Sequence, residues 1–183
     1  STPLDQIDPD INCLPHSQSK SSYFSISQFN SLIANNTSLE TGVLALLHCN
    51  IRSVIANKSS LLAFISTLEF DFPIIGLSET WLNEHTAPNF QIPNYNLVNV
   101  HRINRRGGGV SLLLKDTLRF KRRPDLDLMT DHCECVFVEL FNLSEFHLQN
   151  HSARVLIGTF YHPPQSNFDN FHESLRVILS VVQ

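Results

Sequence analysis

Three polar side chains occur where apolar segments of the chain end. Each of three such segments is followed at once by a residue that a buried strand does not need: Asn50, Glu79 and Tyr161. In open α/β sheets, ligands bind beyond the carboxyl ends of the strands, so these groups would converge there if the strands lie side by side. A carboxylate and an amide oxygen suit Mg²⁺, and a phenol can donate to a phosphate oxygen. The alternative is that each residue caps a loop, as polar residues at strand ends often do.

The elements that would position these residues alternate between strand and helix. Residues 43–49 form a nearly continuous apolar run, typical of a strand buried on both faces. Asn57 and Ser59 can cap a helix with apolar residues at helical spacing, and Pro73 opens a second apolar run at 74–77. Strand, helix and strand within about 35 residues predict a βαβ unit with two parallel strands.

The rest of the chain predicts further strands and one more helix. Alternating or apolar segments indicate strands at 95–100, 110–114, 135–141 and 154–161. Ser166 and Asp169 form a helix start signal just after the last of these strands. Residues 1–40 are rich in Ser, Asn and Asp, which predicts a polar, weakly ordered leader before a folded domain at 41–183. The expected fold is therefore α/β with mixed strand directions.

Composition sets limits on the class of protein. The 183 residues suffice for one domain, and 42% apolar residues allow a true core. A formal charge of −4 excludes a globally basic nucleic-acid binder. The apolar runs are too short to span a bilayer, so we expect an intracellular protein with no membrane partner. The four cysteines include one C-x-C and no C-x-x-C pair, which indicates neither a zinc knuckle nor a disulfide framework.

One segment departs from this acidic average. Eight of the 13 Lys and Arg residues fall between residues 102 and 123: Arg102, Arg105, Arg106, Lys115, Arg119, Lys121, Arg122 and Arg123. Only Asp116 opposes them within this window, so it carries +7 and the rest of the chain −11. The segment predicts a contact surface for the DNA backbone, because neutralising phosphates releases counterions. A solvated hairpin face is the alternative.

Five segments, in this order and spacing, resemble a known family: LLHCNIRS, IIGLSETWL, RRGGGVSLLL, CECVFVEL and LIGTFYHPP. From about residue 23 to the last residue, the chain resembles the endonuclease domain of non-LTR (LINE-type) retrotransposon open reading frames. That domain belongs to the exonuclease/endonuclease/phosphatase superfamily, with the apurinic-site endonucleases and deoxyribonuclease I. The resemblance implies a four-layer α/β sandwich of the deoxyribonuclease-I type.

The resemblance also implies roles for individual residues. Asn50 and Glu79 match the residues that bind Mg²⁺, or Mn²⁺ in its place, and Tyr161 matches the tyrosine that faces the scissile phosphate. Independently of the resemblance, His162 follows this tyrosine and flanks the expected crevice, which predicts a contact with the DNA phosphates; a structural role beside the strand is the alternative. Arg52 stands where apurinic-site enzymes carry an acidic residue, so metal binding would depend more heavily on Glu79.

Two motifs of the family do not follow Tyr161 here. Members continue into Gly-Asp-x-Asn and Ser-Asp-His, which supply groups that act on the nucleophile and the transferring phosphate. Residues 130–132 read Thr-Asp-His, but they precede the tyrosine, and we interpret them as a loop that enters the strand at 135–141. We therefore expect the amino-terminal part of such a domain, incomplete at its C-terminus and inactive or nearly so by itself.

Two hypotheses about function follow. The first is a Mg²⁺-dependent DNA endonuclease that acts in the nucleus and nicks target DNA, so that a downstream reverse transcriptase in the parent polypeptide can prime from the cut. The second is a non-catalytic remnant that binds nucleic acid or protein. A third, the phosphatase branch of the superfamily, agrees less well with the style of the motifs.

Overall fold

The computed structural model describes residues 22–35, 43–103, 105–143 and 154–182, and its strands form two sheets. The first sheet contains β1 (Leu46–Asn50), β2 (Ile74–Ser78), β3 (Tyr95–Val100) and β4 (Val110–Lys115). Its order is β1-β2-β4-β3. The β1–β2 pair is parallel and the other two pairs are antiparallel, which confirms the predicted βαβ unit and the mixed strand directions.

The second sheet is built around one long strand. It contains β5 (Arg119–Arg122), β6 (Leu128–Met129), β7 (Glu134–Phe141) and β8 (Val155–Tyr161). β8 pairs antiparallel with β7 along nearly its whole length, whereas β5 and β6 pair with the two ends of β7. The register places Tyr161, the last residue of β8, opposite Glu134, the first residue of β7.

Three apolar clusters show how the helices and sheets are layered. The helices are α1 (Ile26–Ala34), α2 (Val54–Thr67) and α3 (Phe168–Val182). α2 buries Val54 and Leu61 against the outer face of the first sheet, and α3 buries Ile178 against that of the second. Alternate residues of both sheets meet in the inter-sheet core: Ile74, Val110, Leu112, Val136, Val138 and Leu140. This helix–sheet–sheet–helix arrangement confirms the expected sandwich, and none of its described helices is long and apolar enough to cross a membrane.

Two local predictions for the βαβ unit are wrong. The first strand begins at Leu46 and is not buried on both faces, since Leu46 is 45% exposed. Among the strands of the described ranges it lies at the edge of the sheet and pairs with β2 alone. The helix starts at Val54 with Ser53 as its N-cap, not at the predicted caps Asn57 and Ser59.

Part of the predicted leader forms a helix that contacts the domain. The Phe29 ring of α1 stacks on Phe72 with centroids 6.1 Å apart. Asn30 donates from Nδ2 to the carbonyl oxygen of Thr67, at 2.7 Å. The boundary predicted at residue 40 lies outside the described residues and stays a prediction.

Candidate active site

The structure brings Asn50, Glu79 and Tyr161 together at one end of the sandwich. Asn50 ends β1 and Glu79 directly follows β2, and because these strands are parallel both residues lie at the same edge. Glu79 Oε1 accepts hydrogen bonds from Asn50 Nδ2 at 3.1 Å and from the Tyr161 hydroxyl at 2.9 Å. Tyr161 arrives from the second sheet, so the convergence occurs across the inter-sheet core rather than along one sheet.

The backbone at Glu79 is held in an unusual conformation. Its φ of 54° lies in the left-handed region, which non-glycine residues rarely adopt. Its carbonyl oxygen accepts from the amide of Ser53 at 2.8 Å, and the next amide, of Thr80, donates to the carbonyl of Gly109 at 3.1 Å. Hydrogen bonds to two neighbouring segments therefore fix the backbone of Glu79. In this conformation its carboxylate lies next to the side chains of Asn50 and Tyr161.

The loop that follows Asn50 is fixed by a residue whose role the sequence did not indicate. Arg52 and Ser53 have φ values of 42° and 78°. Asn57 Nδ2 donates to the carbonyl oxygens of Ile51 at 3.0 Å and Arg52 at 2.9 Å. Asn57 thus braces the loop from within α2. The Arg52 residue is exposed, so this position presents a cation to solvent beside the site.

The Tyr161 phenol is a hydrogen-bond donor at neutral pH. Burial is the largest cause and the hydrogen bond to Glu79 the second, and together they raise the pKa of Tyr161 to about 12. The charge of Glu134 also raises this pKa, and that of Arg102 opposes it. An anion that enters the site can therefore replace Glu79 as the acceptor of this proton.

The donor set fits a hard cation that keeps most of its water. Within the described ranges, Glu79 Oε2 makes no hydrogen bond, and rotation of the Asn50 amide would present its oxygen instead of its nitrogen. No cluster of three His, Cys, Asp or Glu side chains arranged for a metal occurs in this part of the chain. One carboxylate plus one amide matches Mg²⁺, which is held by one or two carboxylates and several waters.

A turn of three glycines, called the triglycine turn below, binds the backbone just after Glu79. Gly107, Gly108 and Gly109 have φ values of 91°, 63° and 83°, and the turn leads into β4. The carbonyl of Gly108 accepts from the amide of Trp81 at 2.9 Å. Gly109 donates its own amide to the carboxylate of Glu134 at 2.5 Å.

Arg102 and Glu134 form a buried ion pair that the sequence pattern did not predict. Glu134 is fully buried, and Arg102, expected to contact DNA, forms an ion pair with it through Nε and Nη2. Only 14% of the Arg102 side chain is exposed, so it is not free to meet a phosphate backbone. A signal was present: alternation along β7 places Glu134 on the same buried face as Val136 and Val138, where an unpaired charge would be costly.

The basic segment does not form a continuous unpaired surface. Five of its eight cations are bound to acidic residues that lie outside the 102–123 window: Arg102 to Glu134, Arg105 to Asp131, Lys115 to Asp71, Arg122 to Asp127 and Arg123 to Asp125. Arg106, Arg119 and Lys121 form no ion pair among the described residues and are exposed. The +7 window is therefore partly neutralised by the fold.

Among these three cations, Arg106 lies nearest the site. Its guanidinium stacks over the Trp81 ring, 5.1 Å from the centroid, and Trp81 is two residues from Glu79. Arg119 and Lys121 lie on β5 and pair with Phe141 and Glu139. This is the far end of β7, roughly 15 to 25 Å along the strand from the end that carries the site.

The His162 side chain contacts residues that follow it closely in the chain. Its Nε2 and the Ser166 hydroxyl are 2.8 Å apart, and its ring contacts Phe168 and Phe171, with centroids 5.9 Å and 4.9 Å away. This arrangement ties the end of β8 to the start of α3. The Thr-Asp-His triplet at 130–132 lies in the loop before β7, as predicted, and Asp131 pairs there with Arg105.

Comparison with known proteins supports the architecture. No family model matches the sequence, and no curated protein matches it either. Among solved structures, the fold is similar to the endonuclease domain of TRAS1, a telomere-specific non-LTR retrotransposon. The TM-score is 0.52 at 11% sequence identity, over 75% of this chain and 53% of that domain. The chain therefore has a deoxyribonuclease-I-like fold and spans about half of the structure that it matches.

Proposed function

We propose that this chain carries the metal-binding and phosphate-facing part of a DNA endonuclease site, which hydrolyses a phosphodiester with Mg²⁺, or with Mn²⁺ in its place. The observation that carries the proposal is the Glu79 carboxylate, which Asn50 and Tyr161 both contact through one oxygen. These groups come from three strands and two sheets, yet they meet at one point. The similarity of the fold to an endonuclease domain supports the same reading.

Each residue has a distinct role in this proposal. Oxygens of Glu79 and Asn50 would hold the cation, which when bound supplies charge neutralisation at the phosphate. Tyr161 keeps its proton at neutral pH and donates to a phosphate oxygen, where negative charge increases in the transition state. Arg106, fixed over Trp81, binds the DNA backbone beside the site. In-line attack by water on the phosphodiester is the mechanism that the sequence resemblance implies.

We expect weak catalysis at most from the chain by itself. In the described ranges, no second carboxylate and no imidazole hydrogen-bonds to Asn50, Glu79 or Tyr161. A positioned general base is typically worth a factor of about 10² to 10⁴ in rate. Nicking in the nucleus that primes a reverse transcriptase of the parent polypeptide is the role implied by the sequence resemblance, and it stays a prediction.

The proposal is tested by the Mg²⁺ dependence of DNA binding. Fluorescence anisotropy of a labelled duplex is measured with Mg²⁺ and with EDTA at equal ionic strength, for the wild type, Glu79→Gln and Glu84→Gln. Glu84 is a matched control, since it is an exposed carboxylate five residues away. Mg²⁺ should strengthen binding by the wild type and Glu84→Gln and have no such effect on Glu79→Gln. An equal response of all three proteins would contradict the proposal.

The same assay separates the second hypothesis, a non-catalytic binding remnant. The exposed cations Arg106, Arg119 and Lys121 favour it, because they can bind a polyanion without the carboxylate site. A remnant would bind DNA with no contribution from Mg²⁺ and would not nick a plasmid at any enzyme concentration. Robust nicking abolished by Glu79→Ala would instead show that the chain is more active than we expect.

A further inference from the structure

A buried ion pair lies behind the candidate active site and contacts none of its three side chains by a hydrogen bond. Glu134 is fully buried and Arg102 nearly so, which is rare for charged residues unless they are paired. They belong to different halves of the sandwich: Arg102 lies in the loop between β3 and β4 of the first sheet, and Glu134 is the first residue of β7 in the second. Such pairs are weak evidence for stability, because the cost of desolvation offsets the attraction. Their position calls for another explanation.

The pair is connected to Glu79 through the triglycine turn. Glu134 Oε2 accepts from the amide of Gly109 at 2.5 Å, and the carbonyl of Gly109 accepts from the amide of Thr80 at 3.1 Å. A Cβ at Gly108 would overlap the Arg102 guanidinium and lie 2.5 Å from Glu134 Oε1. The ion pair therefore packs directly against the triglycine turn. That turn binds the amide of Thr80, the residue that follows Glu79.

The pair is also adjacent to Tyr161. Glu134 and Tyr161 are directly opposite residues of the β7–β8 ladder, and the alternation of both strands places them on the inter-sheet side. Glu134 therefore contacts both parts of the site. Its Oε2 binds the amide of Gly109, and its backbone lies opposite Tyr161 in the β7–β8 ladder. Displacement of Glu134 would change the distance between the Glu79 carboxylate and the Tyr161 hydroxyl.

We propose that the Arg102–Glu134 ion pair is a positioning element that sets the backbone of Glu79 relative to Tyr161. This inference rests on the proposed function for its catalytic meaning, but its structural content stands by itself. The pair clamps the first sheet to the second at the one edge where both contribute to the site. Arg102 is accordingly a positioning residue and not a DNA contact.

The chain offers a matched control for this pair. Arg105 and Asp131 also form an ion pair, at 2.8 Å, three residues away from Arg102 and Glu134 along the same two segments. Their side chains are 48% and 79% exposed, and neither contacts the triglycine turn by a hydrogen bond. Removal of either pair leaves the net charge unchanged, so electrostatic effects on metal or DNA binding cancel to first order.

The test compares two charge-neutral double variants, Arg102→Met/Glu134→Leu and Arg105→Met/Asp131→Leu. Amide hydrogen exchange of Thr80 and Trp81 reports on the Glu79 peptide, and the single tryptophan gives an independent fluorescence signal. In the first variant, exchange at both amides should accelerate by about tenfold or more while the β3–β4 ladder keeps its protection. In the second variant, all these rates should match the wild type.

Metal affinity then tests the catalytic meaning. Free Mn²⁺ is measured by electron paramagnetic resonance, and outer groups that orient metal ligands typically change affinity by about 10- to 100-fold. The first double variant should weaken Mn²⁺ binding by this factor, and the second should not. If the wild type binds no Mn²⁺, the proposed function is contradicted. The positioning role of the ion pair is then tested by the hydrogen-exchange result alone.

Unchanged exchange at Thr80 and Trp81 in the first variant would overturn the inference, as would equal acceleration throughout the β3–β4 ladder, which indicates general destabilisation. Unchanged Mn²⁺ affinity alongside a wild type that binds the ion would overturn it as well. If the apolar double variant does not fold, Arg102→Gln/Glu134→Gln carries the same comparison, since it removes both charges and retains side chains of similar shape.

Discussion

The triglycine turn allows a prediction that separates backbone strain from packing. Gly107 and Gly109 both have positive φ values, 91° and 83°. A Cβ on Gly107 would meet only ordinary contacts, with its nearest atom, Arg102 Nη1, at 3.8 Å. A Cβ on Gly109 would lie 2.7 Å from the hydroxyl oxygen of Thr80, a residue that is 1% exposed.

The magnitudes follow from these two environments. Alanine in the left-handed region costs about 1 to 2 kcal/mol, of which about 0.4 to 1 kcal/mol is returned because the unfolded chain loses freedom. Gly107→Ala should therefore destabilise the fold by roughly 0 to 1.5 kcal/mol. Gly109→Ala adds the cost of overpacking, about 1 to 3 kcal/mol.

Urea unfolding monitored by circular dichroism measures the difference. With a urea m-value of about 2 kcal/mol per M, the midpoint of Gly109→Ala should lie about 0.5 to 1.5 M below that of Gly107→Ala. Equal midpoints for the two variants would contradict this prediction, because they would mean that the Thr80 side chain moves to accommodate the added methyl group. A lower midpoint for Gly107→Ala would refute it more strongly.

Three further predictions follow from the site. The phenol pKa of Tyr161, followed by NMR of ¹³Cζ-labelled tyrosine, should be about 12 and should fall toward its ordinary value in Glu79→Gln without reaching it, because burial remains the larger cause. Arg106→Gln should lower the slope of the logarithm of the DNA-binding constant against the logarithm of the salt concentration by about 1. Arg123→Gln should change this slope less, because the Arg123 guanidinium is already paired with Asp125, and equal slopes for the two variants would contradict the prediction. Asn57→Ala should lower the free energy of unfolding by about 1 to 3 kcal/mol, measured by urea titration, because the partly buried carbonyl of Ile51 and the exposed carbonyl of Arg52 both lose their donor.

The sequence allowed prediction of those features that depend on local pattern. Periods of two and 3.6 residues located the strands and α2, and their spacing implied the parallel β1–β2 pair. Asn50 and Glu79 could be placed together because parallel strands end at one edge. Tyr161 reaches the site from β8 of the second sheet, a position that the sequence pattern does not indicate, because pairing between distant strands leaves no local signal.

Features set by distant partners could not be predicted. Five of the eight cations in the basic segment find their acidic partners outside it, so its local charge overstated the surface that is open to DNA. The role of Arg102 depends on Glu134, 32 residues away, and becomes visible only when the two sheets are packed. The edge position of β1 likewise follows from strand order, which the apolar character of residues 43–49 does not encode.

We propose above that Glu79 and Asn50 hold a divalent metal next to Tyr161. Paramagnetic broadening of the ¹H–¹⁵N NMR spectrum during a Mn²⁺ titration tests it most directly, with Glu79→Gln as the comparison. We expect the resonances of Asn50, Glu79 and Tyr161 to broaden first, and this selective broadening to disappear in Glu79→Gln. Broadening centred elsewhere, such as at Asp125, or unaffected by the substitution, would contradict it.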